Sequence, residues 1–202
     1  MTTKRLTKLE RLVRAYMIGN KAVAHDMSHL LRVRHLAREI SLKEGADSEI
    51  VEAAALIHDL DRKEDSENDR YYVQSAQDGA RLLLKAGYNK NFIRAAVKCA
   101  MAHSRSSKTK PVSLEGKVMF DADKIDGLGH VGIVRWYLTM GNMGLDAKRS
   151  TELYLNTLTK AHDKLGGHLF TKTGTRMSVE LYDFSRDFAV KTLKKLGLDG
   201  AT

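Results

Sequence analysis

The chain is poor in the residue types that small secreted and membrane proteins rely on. Its 202 residues include one cysteine, one proline and 6% aromatics. A lone cysteine, Cys99, excludes an internal disulfide and any Cys/His finger, and it suits a reducing compartment. Its setting, A95-A-V-K-C-A-M101, is mostly apolar and reads as a buried structural thiol. No apolar run approaches the roughly 20 residues that a membrane-spanning helix needs. The charged start M1-T-T-K-R-L-T-K-L-E10 lacks the apolar core of a signal peptide, so a cytoplasmic protein with no membrane partner is expected. The few aromatics are not interleaved with basic residues, which argues against a stacking platform for single-stranded nucleic acid. With one proline, few β-branched runs and many Ala, Leu, Lys, Arg and Glu, the chain is expected to be all-α.

The length fits one domain, 1–202, with a C-terminal helical extension over about 146–198. The net charge is +9, from 34 basic against 25 acidic residues, which favours an anionic partner such as a nucleotide, polyphosphate or nucleic acid. Apolar spacing predicts helices over 4–18, from Asp26 to about Glu44, and from Asp47 or Ser48 to near His58. Further helices are expected over about 69–85, from Asn89 or Asn91 to about His103, and from Ser113 to near Gly127. The last three fall over 130–140, 146–165 and 175–196.

Against this pattern three polar groups stand out. His29 shares a helix face with Val33, Leu36 and Ile40, the stripe expected to be buried. His58 and Asp59 end the apolar segment A53-A-A-L-I-H-D59, and Asp123 lies mid-helix in D121-A-D-K-I-D126. Three helices thus aim a histidine or a carboxylate at a common interior. An unpaired carboxylate there would cost several kcal/mol, which a dication offsets. Imidazole suits Zn, Fe, Ni or Mn, and carboxylate draws the preference toward Mn and Mg. Such an ion lowers the pKa of bound water and neutralises phosphoryl charge, so a hydrolase is expected.

These residues carry a resemblance. H25-D-M-S-H-L-L-R-V33, L56-I-H-D-L60 and D121-A-D-K-I-D126 resemble the opening, naming and closing motifs of the HD superfamily of metal-dependent phosphohydrolases, over roughly residues 20–130. The resemblance implies an HD-domain-like helical bundle with additional C-terminal helices. It implies one divalent ion held by His29, His58, Asp59 and Asp123, with Mn expected and Mg, Fe, Ni, Co or Zn as alternatives. The substrate would be a phosphate ester or phosphoanhydride, above all of a nucleotide. Two-metal relatives use further histidines, which makes His103 a candidate for a second ion, with His25 and Asp126 as candidates for a second ion or for contacts behind the ligands. Asp59, Asp61 and Glu64 are the candidate catalytic acids, although relatives that hydrolyse alarmones place a Glu-Asp pair closer to the His-Asp pair than Glu64 lies here. Arg32, Arg62 and Lys124 are the candidate phosphate partners. The alternative function is a non-catalytic HD-like sensor of nucleotide or nucleic acid, supported by the basic charge. A metal that serves stability alone is a third reading.

Overall fold

Side chains with a hydrogen-bond acceptor open most of the helices. In the computed structural model, which describes residues 3–20, 22–61, 71–103, 109–164 and 166–197, such residues cap helix starts, Asp146 among them, accepting from Arg149 N at 2.7 Å. Thr3, Asp26, Asp47, Asn89, Ser113 and Thr171 each accept a hydrogen bond from a first-turn backbone N–H. Those N–H groups lack an intrahelical partner, and each cap satisfies one or two of them. The helices so opened are α1 (Lys4–Tyr16), α2 (Met27–Glu44), α3 (Ser48–Ile57), α5 (Lys90–Met101), α6 (Leu114–Asp126), α8 (Ala147–Lys164) and α9 (Lys172–Lys195). Between them lie α4 (Tyr71–Ala86) and α7 (Gly129–Asn142). The described residues hold nine helices and no strand, so the chain is all-α.

Every expected boundary but the start of α9 holds to within two residues, and the differences at α7 and α9 have a physical reason. α7 continues past Met140 because Gly141 costs helix stability without breaking the helix. α9 begins three residues before the expected 175, because the Thr171 hydroxyl accepts from the Gly174 N–H and starts the helix there.

The core forms around α3, whose residues Val51–Ile57 are all buried. Ala53, Ala54 and Ala55 present little bulk, so α2, α5 and α6 approach α3 closely. Leu30, Val33, Ala37 and Ile40 of α2 pack there with Ala96 and Ala100 of α5 and Val118, Met119 and Ala122 of α6. The expected α2 stripe is buried at His29, Val33 and Ile40. Leu36 is half-buried, with Ala37 in the deep position. Cys99 is buried, and its thiol donates to the Glu115 carbonyl oxygen at 3.2 Å.

A smaller cluster, Ile133, Tyr154, Leu158 and Ala189, joins α7, α8 and α9. The last helix also leans on the main core through Met177 and Leu181. Its entry is tied to α6, because the buried Asp121 accepts from Phe170 N at 3.0 Å, Thr171 N at 2.8 Å and the Thr171 hydroxyl at 2.7 Å. Among the described residues, no helix is long and apolar enough to cross a membrane.

Candidate metal centre

Three helix ends meet at the site. Asp26 caps α2 by accepting from His29 N at 2.9 Å, which sets His29 in the first turn. α3 stops at Ile57, so His58 and Asp59 follow directly from its buried end. α6 brings Asp123 from the opposite side. His29, His58 and Asp59 are each 1% exposed, and the Asp123 side chain is 12% exposed.

The donor atoms converge. His29 Nε2 lies 3.1 Å from His58 Nε2, and both nitrogens lie 3.7 Å from Asp59 Oδ2 and 3.7 Å from Asp123 Oδ1. These separations fall inside the roughly 4.4 Å that two donors on one ion with bonds of about 2.2 Å can span. His29, His58 and Asp59 alone form a cluster that could hold a metal ion. Each ring is oriented from behind. His58 Nδ1 is 2.9 Å from the Ala55 carbonyl oxygen, and His29 Nδ1 is 2.8 Å from Asp126 Oδ2. Both partners accept, so each Nδ1 carries the proton and each Nε2 is the nitrogen turned to the centre.

The electrostatics suit a cation. Burial alone would push the Asp59 carboxyl up, but His58 and His103 outweigh it and hold the group well below the usual carboxylate range. Asp123 is held down in the same way, against burial, by Lys124 and His58. Burial works against charge on His58 too, yet Asp59 and Asp123 raise its pKa overall. The carboxylates are therefore ionised in a buried site, and a dication with neutral imidazoles is a chemically matched occupant.

Two further histidines flank Asp59. His103, 1% exposed at the end of α5, sits with Nε2 3.2 Å from Asp59 Oδ1. His25 Nε2 is 3.8 Å from Asp59 Oδ2. Asp126 stands behind His29, and Arg32 donates to it from Nε at 2.7 Å and from Nη2 at 3.2 Å. The remaining Arg32 nitrogen, Nη1, donates to Ser28 Oγ at 2.9 Å, so this guanidinium faces Asp126 and Ser28. Lys124 Nζ pairs with Asp123 Oδ2 at 2.5 Å. Asp61 turns away toward α1 and α4, where it accepts from the Tyr16 hydroxyl at 2.8 Å. Burial raises its carboxyl more than that hydrogen bond lowers it. Arg62 and Glu64 lie outside the described residues.

Sequence reasoning passed over Arg135. From α7 it donates to Asp126 Oδ2 at 2.5 Å and to the Ala24 carbonyl oxygen. The one available signal was a cation inside the otherwise apolar G132-I-V-R-W-Y-L138.

Buried histidines and aspartates converging from three helices define an all-α protein with a cluster that could hold a metal ion. The HD domain model matches residues 27–128, a stretch containing all four candidate ligands, and the chain belongs to that family. It is 29% identical over 192 residues to the uncharacterised protein YpgQ of Bacillus subtilis (strain 168), covering 92% of each chain. Its fold is similar to the crystal structure of B. subtilis YpgQ in complex with ADP, with a TM-score of 0.74 and 28% identity over 95% of each chain. A predicted HD superfamily hydrolase from an uncultured Thermotogales bacterium is similar as well. There the TM-score is 0.65 and the identity 27%, over 95% of this chain and 92% of that one.

Proposed function

We propose that this protein is a metal-dependent phosphohydrolase that cleaves a phosphoanhydride or phosphate ester of a nucleotide. The observation that carries the reading is the buried convergence of His29 Nε2, His58 Nε2, Asp59 and Asp123 Oδ1. These four residues would hold the ion, with Mn the expected metal. When bound, the ion supplies acidified water and charge neutralisation at the phosphoryl group. The ADP in the YpgQ complex and the +9 charge of this chain both support a nucleotide substrate.

The chain's own groups then divide the work. Asp59 presents one oxygen to His29 and His58 and the other to His103, so Asp59 and His103 form an acid–base pair at the edge of the centre. Lys124, already paired with a ligand carboxylate, is the described cation next to the substrate's expected phosphate position, and Arg62 is proposed to join it. Arg32 supports Asp126 instead of substrate.

A second reading, a non-catalytic sensor of nucleotide or nucleic acid, draws on the same basic charge. A panel of nucleotides with and without Mn2+ decides between them. Wild-type protein is expected to release phosphate or pyrophosphate only with the ion. His58→Ala and Asp59→Ala are expected to lose about 100-fold or more of that rate while keeping their helical circular dichroism. Absence of metal-dependent release across the panel refutes the enzyme, and salt-dependent binding to DNA or RNA without turnover establishes the sensor.

A further inference from the structure

His29 lies inside the matched HD segment, but one of the groups that orient it comes from outside that segment. A histidine offers a lone pair from one ring nitrogen only when the other carries the proton, and the partner of that other nitrogen decides which is which. For His29 the partner is Asp126 Oδ2, 2.8 Å from Nδ1. Asp126 is buried and is the last residue of α6. A helix C-terminus is the negative end of the macrodipole, so an ionised carboxylate there is disfavoured unless cations hold it.

Two guanidiniums do so. Arg32 comes from α2, the helix that bears His29. Arg135 comes from α7 and reaches three acceptors. Its Nη1 is 2.5 Å from Asp126 Oδ2 and 3.3 Å from the Asp126 carbonyl oxygen. Its Nε and Nη2 lie 2.9 and 2.5 Å from the Ala24 carbonyl oxygen. Ala24 immediately precedes His25, the residue that approaches Asp59 Oδ2. One planar fork therefore joins the end of α6, the segment leading into α2, and α7. Lysine, a point charge on a flexible stem, does not span the same acceptors in fixed geometry.

We infer that Arg135 is a positioning residue of the metal centre, acting through Asp126 to set the tautomer and direction of His29. The inference rests on the metal-centre reading above and adds a residue beyond the segment that defines the family.

The test combines Mn2+ titration calorimetry with long-range 1H–15N spectra of the histidine rings in metal-free protein at about pH 8. Arg135→Ala is expected to weaken Mn2+ binding about 10-fold, and Asp126→Asn by about 10- to 100-fold. The double variant is expected to stay within about 2-fold of Asp126→Asn, because both act on His29 along one chain of contacts. In the spectra, His29 is expected as the Nδ1–H tautomer in wild type and as a mixture in Arg135→Ala. Arg135→Lys is expected to recover only part of either effect. An unchanged His29 signal in Arg135→Ala, or losses that multiply in the double variant, overturns the inference. Full rescue by lysine overturns the role of the fork. If wild-type protein takes up no Mn2+, the metal reading fails, and the His29 tautomer still decides the role of Arg135. If Arg135→Ala does not fold, Arg135→Gln and Arg135→Lys carry the same measurements.

Discussion

Replacing Gly132 with alanine tests how closely α7 must dock. Gly132 precedes Arg135 by one turn, and a Cβ built on it stands 2.2 Å from both the carbonyl carbon and the oxygen of Gly127. Ordinary non-bonded contact begins near 3.5 Å, so α7 must withdraw by about 1 Å. Both sides of the clash are backbone, and no rotamer change relieves it. The Arg135–Asp126 bond, 2.5 Å long, would stretch to about 3.5 Å, the edge of hydrogen bonding. Overpacking of this kind costs about 2 kcal/mol. The weakened charge-assisted bond costs about 1.5 kcal/mol more. Alanine returns about 1 kcal/mol of helix propensity. The net loss of about 2.5 kcal/mol corresponds to a Tm lowered by about 5–10 °C in a chain of this size. Thermal unfolding followed by circular dichroism measures it. The control is Gly141→Ala on the same helix, where a Cβ meets nothing within 4 Å. That variant is expected to melt at or slightly above wild type. If Gly132→Ala melts with its control, the close docking of α7 on the α6 terminus is refuted.

Two other outcomes follow from the packing. Thr171→Val removes the hydroxyl that caps α9 at Gly174 and donates to buried Asp121, so stability is expected to fall by about 2 kcal/mol, with Mn2+ affinity within about 2-fold of wild type in calorimetry. A large loss of affinity would show that Asp121 serves the ion and not the α9 cap. Cys99 is buried, and burial pushes its thiol well above the usual range. It is therefore expected to react with a thiol reagent such as DTNB only after denaturation, and stoichiometric labelling of native protein contradicts its placement.

How much of this was legible in the sequence depends on whether the signal was local. α2 could be bounded at both ends because Asp26 and Gly45 act within one turn. Asp26 accepts from His29 N, and Gly45 takes the left-handed backbone, φ 77°, that ends the helix. The start of α9 was placed late because a threonine cap is a weaker signal than the glycines around it. His29, His58 and Asp123 could be placed together because each falls on the inward face of its own helix. D121-A-D-K-I-D126 was harder. Successive residues turn by about 100°, so its three aspartates point in different directions around α6. Asp121 goes to the α9 cap, Asp123 to the cluster and Asp126 to His29. Spacing alone separates those directions but does not say what lies along each. Arg135 carried only the weak signal of a cation in an apolar stretch, because its partners are set by how α7 crosses α6.

That crossing ties the centre to the C-terminal helices. An aspartate at the end of α6 is a poor choice for the helix and a good one for orienting His29, and the conflict is resolved by cations from two other helices. Arg32 supplies one within the matched segment. The second comes from α7, which packs on α8 and α9 through Ile133, Tyr154, Leu158 and Ala189. Without it, Asp126 would keep a single guanidinium against the macrodipole, and His29 would lose part of what fixes its proton on Nδ1. Arg135 thus brings α7, beyond the family segment, into the electrostatics of the site, and changes in the packing of α7 should be read out at His29 before they are read out in the fold.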